Sequence, residues 1–254
     1  MAKLAKKQRR MEARLFLVEG PQAVREVLLT RPELVVDIFI TQAATDRHKD
    51  LVSLATQHQV QLSLATEKVL EEMADTVTPQ GVVAVCGFTD VSLDDVLAKK
   101  PALIALLHQV QDPGNVGNII RTADAAGADA VVVTAESVDV FNPKAVRAST
   151  GSIFHVPVVV GVDVGETIAA LRAAGVSVLA TDAGGQNLME LREAGVLAKP
   201  VAWLLGNEAH GLGDEDEALA DGVVSVPIFG QAESLSLQTA AAVLLYESAF
   251  AKRR

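Results

Sequence analysis

From Leu15 onward the 254-residue chain alternates short β-rich runs with longer stretches of helical periodicity. That alternation restricts it to an α/β fold built on a largely parallel sheet. Strand patterns occupy residues 15–18, 35–41 and 81–87. Helical patterns occupy 21–29, opened by Pro21, then 48–59 and 66–74. A polar, charged stretch at 90–101 interrupts the rhythm and puts a boundary near 95–102, between a first unit at 15–98 and a second at 103–254. The second unit carries strand patterns at 102–107, 130–134, 153–160, 176–181, 201–205 and 223–226, with helical patterns at 116–126, 165–174 and 237–252. In the last helix Leu237, Ala240, Ala241, Leu244, Leu245 and Ser248 share one small apolar face, which packs either into the core or at a subunit interface. The sequence has no internal repeat and no low-complexity tract.

Charge is distributed unevenly along this pattern. The net charge is −10 and the pI near 5.0, as in an ordinary enzyme and unlike a basic nucleic-acid binder. Residues 1–14, however, carry Lys3, Lys6, Lys7, Arg9, Arg10 and Arg14 against Glu12 alone, and the chain ends Lys252-Arg253-Arg254. An acidic body therefore has two basic ends, and 1–14 reads either as an arm for a phosphate backbone or as a solvated terminus. The single cysteine, Cys86, excludes an intrachain disulfide and a cysteine-based zinc cluster. The five histidines, at 48, 58, 108, 155 and 210, lack metal-ligand spacing, so no metal is expected. No secretory apolar segment follows the basic start, and no apolar run reaches the roughly 18 residues of a membrane span; a cytoplasmic protein is expected.

Common nucleotide motifs are absent. The segment from Gly161 to Thr167 has three residues between its glycines where a phosphate loop needs four, with Glu166 in the place of the lysine. No G-x-G-x-x-G follows a predicted strand, and no G-x-S-x-G elbow occurs. Three polar clusters remain, each beside a strand of the second unit. In the first, Asp112 to Thr122, Pro113 and Gly114 form a turn, Asn115 is placed to cap the helix, and Asn115, Asn118 and Arg121 form a drifting stripe. This is either a helix cap with a solvated arginine or a phosphate grip. The second, Leu204 to Leu212, has Glu208 as its one carboxylate. The third, Val226 to Ser236, feeds the last helix, with Ser234 or Ser236 as a candidate N-cap. Together they bring Asn, Arg, Glu and Ser toward one edge of a sheet, where open α/β folds bind ligands.

In order and spacing, the three clusters resemble the signature motifs of the SpoU/TrmH family of the SPOUT class, S-adenosyl-L-methionine-dependent RNA ribose 2′-O-methyltransferases. Asn115, Gly117 and Arg121 match the first motif. Leu205, Gly206, Glu208 and Gly211 match the second, and Pro227, Ser234 and Leu235 before Ala240–Ala242 match the third. The stretches from Phe16 to Gly20 and from Thr78 to Val85 resemble the small α/β RNA substrate-binding domain often attached to this family. The resemblance implies a SPOUT domain at 103–254 with a C-terminal trefoil knot, dimerisation through it, and ribosomal RNA as substrate, with transfer RNA second. It implies Asn115, Arg121, Glu208 and Ser234 as catalytic residues, with Asn115 and Glu208 holding Arg121, and Thr181, Gly206, Val226 and Leu235 as cofactor-binding residues. One departure is Ser236, where the family usually has asparagine; it leaves open an RNA-binding module of weakened catalysis. A nucleotide-dependent enzyme is a remote third reading.

Overall fold

The computed structural model describes residues 4, 6–74, 76 and 79–253; Lys3, Thr78 and Arg254, singled out above, lie outside them. Its elements run α1 (Lys7–Ala13), β1 (Leu15–Glu19), α2 (Pro21–Thr30), β2 (Val35–Ile40), α3 (Gln42–Arg47), α4 (Lys49–Gln57), β3 (Leu62–Leu64), α5 (Glu67–Met73), β4 (Val82–Gly87) and α6 (Leu93–Leu97). There follow β5 (Leu103–Leu107), α7 (Pro113–Ala126), β6 (Ala130–Thr134), α8 (Pro143–Ser149), β7 (Val158–Val162) and α9 (Val164–Ala173). The chain closes with β8 (Ser177–Asn187), α10 (Leu188–Glu193), β9 (Val201–Leu205), α11 (Asp214–Leu219), β10 (Gly222–Ser225) and α12 (Leu237–Lys252). Contacts divide it into two units: residues up to Thr89 with Asp139–His155, and Asp90–Val138 with the residues from Val156 on.

The first unit is a four-stranded mixed sheet in the order β1-β4-β2-β3. Strand β4 is antiparallel to both neighbours, and β2 runs parallel to β3. Residues 82–86 are all buried, because a central strand covered on both faces reads as a continuous apolar run. Burial also pushes the Cys86 thiol far above its ordinary value. The sequence reading gave 139–155 to the second unit, but its aromatic side chains bury in the first. Phe141 stacks on Phe88 with centroids 3.9 Å apart and lies 5.0 Å from Phe16, and Phe154 stacks on Phe16 at 6.1 Å. Arg147 reaches Glu19, and His155 reaches Glu26.

The same segment corrects the reading of 1–14 as an arm. Its residues 7–13 form α1, and Arg10 is 2% exposed. Nε and Nη2 of Arg10 donate to Asp139 Oδ2 at 3.0 and 2.6 Å, and Nη1 donates to the Leu4 carbonyl at 2.7 Å. Arg10 is thus an internal cation, whereas Lys6 and Lys7 are exposed. The expected strand at 153–160 is a 3-10 turn over Ser152–Phe154 followed by β7, since Thr150 and Gly151 turn the chain through left-handed backbone. Part of the polar stretch before β5 is helical: α6 starts at a capping box in which Ser92 and Asp95 satisfy each other's backbone N–H groups.

The second unit is a six-stranded, wholly parallel sheet in the order β10-β8-β9-β5-β6-β7. Every residue of β5, β6 and β9 is buried. Alternation divides their side chains between two layers. Ile104, Leu106, Val132, Ala202 and Leu204 pack with Ile168 and Leu171 of α9. Trp203, of opposite parity, donates its indole N–H to Ser248 Oγ of α12 at 2.9 Å. The small face of α12 is therefore core: Ala241, Leu244, Leu245 and Ser248 are buried, while Tyr246 and Phe250 on its other side are exposed and touch each other.

Candidate active site

Parallel strands all end on one edge, where open α/β sheets bind ligands. Residues 181–183 within β8, the turn after β9 and the segment running from the end of β10 into α12 enclose a cavity of about 250 Å³ lined by Thr181, Gly206, Glu208, Val226, Ser234 and Leu235, among others. All four residues expected to bind cofactor thus line one space, together with two of the four expected to be catalytic.

Close backbone approach builds the walls. Across β10 and β8 the register jumps, with Val223 opposite Ala180 but Val224 opposite Gln186, so residues 181–185 leave the sheet and bend over the cavity. Gly185 permits this, since a Cβ there would stand 2.5 Å from the backbone of Val223 and Val224. After β9, Asn207 and Gly211 exchange backbone hydrogen bonds of 2.9 Å, closing a tight turn. A Cβ on Gly206 would stand 2.6 Å from the Gly211 backbone, so only glycine fits. Asn207 Nδ2 then donates to the Gln109 carbonyl at 2.9 Å and ties this turn to the one after β5.

Glu208 makes the second tie. Its carboxylate accepts from the N–H groups of Gln111 and Asp112 at 3.0 and 2.9 Å and from Asn115 Nδ2 at 3.0 Å. Partial burial works against its charge, but the bonds from Gln111, Asn115 and Asp112 outweigh that and hold the carboxyl below its ordinary value. The cap of α7 is Asp112, which accepts from the N–H groups of Gly114 and Asn115. Asn115 sits within the first turn, leaving its amide for Glu208.

Arg121 stands apart from this group. Six residues along a helix turn it about 120° from Asn115 and carry it about 9 Å further along the axis. It is exposed, has no hydrogen-bonding or ion-pair partner among the described residues, and lines a shallow groove between α7 and α12 with Asn118, Gln238, Thr239 and Tyr246. Asn115 and Glu208 therefore hold each other and do not hold Arg121, contrary to expectation. Ser234 is exposed at the cavity rim. Ser236 starts α12: its carbonyl accepts from Thr239 and Ala240, and its hydroxyl lies 2.7 Å from Thr239 Oγ1.

The sequence reading missed two carboxylates of the cavity, Asp182 and Glu233. Asp182 immediately follows an expected strand, and that position was its only signal. Burial, and after it the charges of Asp182 and Asp214, raises the carboxyl of Glu217 above its ordinary value. Val224, Val226, Ile228 and Leu237 supply an apolar wall. S-adenosyl-L-methionine fits this donor set: its sulfonium and ammonium are complementary to Asp182, Glu208 and Glu233, and its flat adenine to the apolar side. Among the described residues no cluster of side chains suits a metal ion, and no helix is long and apolar enough to cross a membrane.

Residues 102–246 match the SpoU rRNA Methylase family, and residues 17–89 match the RNA 2′-O ribose methyltransferase substrate binding family. A Bacillus subtilis relative, 23S rRNA (guanosine(2553)-2′-O)-methyltransferase RlmP, is 35% identical over 248 residues, covering 96% of this chain and 92% of the relative. A Streptomyces viridochromogenes relative, 23S rRNA (uridine(2479)-2′-O)-methyltransferase, is 34% identical, covering 77% and 69%. Among solved structures, an AdoMet-bound rRNA methyltransferase from Sinorhizobium meliloti superposes with a TM-score of 0.83 at 31% identity, covering 97% of this chain and 91% of that one. With residues of its second and third motifs lining one cavity and both of its modules matched, the chain belongs to the SpoU rRNA methylase family and is an S-adenosyl-L-methionine-dependent RNA ribose 2′-O-methyltransferase.

Proposed function

We propose that this enzyme methylates a ribose 2′-hydroxyl of ribosomal RNA, with residues 15–98 as the RNA-binding module and 103–254 as the methyltransferase module. The observation that carries the reading is the convergence of Thr181, Gly206, Val226 and Leu235 on one acid-rimmed cavity. The names of both relatives, each a 23S rRNA 2′-O-methyltransferase, support the ribosomal substrate and a cytoplasmic place of work. A trefoil knot in the second module is supported by the family match and by the way residues 181–183, the turn after β9 and the segment from β10 into α12 meet at one cavity. A homodimer through this module is supported by the exposed Tyr246 and Phe250 on the outer side of α12.

When bound, S-adenosyl-L-methionine supplies an electrophilic methyl group on a sulfonium. What remains for the protein is to hold the hydroxyl in line with it, which can provide up to roughly 7–11 kcal/mol of the barrier reduction. Glu208 and Asn115 position the cavity wall. Ser234 orients the substrate at the rim. Arg121, unpartnered and exposed, grips an RNA phosphate and orients the hydroxyl beside it. A guanidinium donates hydrogen bonds and offers no acceptor, so the departing proton goes to another group, such as that phosphate.

Replacing Arg121 by alanine abolishes methyl transfer from labelled S-adenosyl-L-methionine to ribosomal RNA and leaves donor binding intact; wild-type turnover in that variant refutes the role. Mapping ribose methylation in cellular RNA with and without the protein identifies the nucleotide.

A further inference from the structure

We propose that His108 is a positioning residue for the methyl transfer, latching the wall of the donor site through Asp216. The inference rests on the reading of the turn at residues 206–213 as that wall. His108 follows β5 directly and is 3% exposed. Its Nε2 lies 3.1 Å from Asp216 Oδ2 on α11, and its Nδ1 lies 3.1 Å from Thr134 Oγ1 at the end of β6. Glu136 is the other charged group facing the ring, 4.0 Å from Nδ1. With Asp216 as an acceptor, Nε2 carries a proton and donates. The hydroxyl network continues inward, where Ser137 Oγ accepts from the Val110 N–H at 3.2 Å.

The consequence lies in what each end of the latch carries. His108 begins the turn whose Gln109 carbonyl and Gln111 and Asp112 N–H groups hold Asn207 and Glu208. Asp216 sits in the first turn of α11, which the chain enters shortly after Asn207 and Glu208. With α11 released, the stretch from Gly206 to Gly213 loses the hold at its far end and keeps the ties made by Asn207 and Glu208.

Two amides separate the two ring nitrogens. Glutamine can present its Nε2 where His108 Nε2 donates to Asp216, whereas asparagine reproduces only the Nδ1 side. His108→Asn and Asp216→Ala each weaken S-adenosyl-L-methionine binding about tenfold by calorimetry, the double variant is no weaker than either single one, and His108→Gln stays within about threefold of wild type. Binding is measured well below each variant's unfolding temperature. Unchanged affinity in His108→Asn, or additive losses in the double variant, overturns the latch. A wild-type protein that binds no donor overturns the underlying reading and the latch with it.

Discussion

The pairing of Arg10 with Asp139 decides whether the start of the chain is structure or tail, and Asp139→Ala tests it. The two side chains are 2% and 7% exposed, and Asp139 Oδ2 receives both the Nε and the Nη2 of Arg10. Its other oxygen accepts from the Phe141 N–H at 2.9 Å. Truncation removes the carboxylate that balances a buried guanidinium, a change that costs about 3–5 kcal/mol, a large part of the ~5–15 kcal/mol that stabilises a domain. For a unit of about a hundred residues each kcal/mol lowers the midpoint by roughly 4 °C or more, so the first unit should melt at least ~10 °C early. Differential scanning calorimetry at neutral pH measures this. Arg10→Met with Asp139→Leu removes both charges together and should recover most of the loss, because replacing a buried pair by apolar side chains is often close to neutral. An Asp139→Ala protein that melts within ~2 °C of wild type refutes the burial of Arg10.

Two further outcomes follow from the charge pattern and the cavity. Lys6→Gln with Lys7→Gln, at exposed positions outside the Arg10 pair, should flatten the salt dependence of RNA binding by roughly 1.5–2 in log–log slope while the melting temperature holds; an unchanged slope argues against phosphate contact by α1. Glu208→Gln keeps one acceptor oxygen but loses one or more of three donated hydrogen bonds, about 1–2 kcal/mol at this solvent-exposed site, so donor affinity should fall by up to roughly 30-fold. Because the folded-state value of Glu208 is depressed, its grip is complete above the ordinary value of 4.5 and is lost as pH falls through the lower one. Wild-type donor affinity should accordingly stay level down to pH ~5, which titration calorimetry across pH can contradict.

Much of the architecture is legible in periodicity. The runs at 103–107, 130–133 and 201–205 are uniformly apolar because each lies in the middle of a parallel sheet covered on both faces. What periodicity misses are pieces whose partners are distant in sequence. Residues 139–152 have no strand or helix pattern that assigns them to a unit; their place is set by Phe141 meeting Phe88 and by Asp139 meeting Arg10, across tens to more than a hundred residues. The short α1 and α6 escape for another reason: each is brief and buries a single side chain, Arg10 or Val96, with little apolar stripe, and α6 is set by its capping box.

The site divides along the same line between local chemistry and long-range pairing. Gly206 and Glu208 are legible because a strand running into a glycine-bracketed turn with one carboxylate is a local pattern, and the turn closes on itself through Asn207 and Gly211. The partner of Glu208 is not local: assigning it to Arg121 is electrostatically natural, yet helix geometry gives the carboxylate two backbone N–H groups and the Asn115 amide, and turns the guanidinium away. This exchange matters for mechanism. A carboxylate satisfied by neutral donors keeps the wall of the donor cavity anionic, and Arg121, in its separate groove, is left without a carboxylate partner among the described residues, as the proposed grip on a phosphate requires. Had Glu208 and Arg121 paired, each would have neutralised the other, and the site would hold its shape at the expense of the cation proposed to meet RNA.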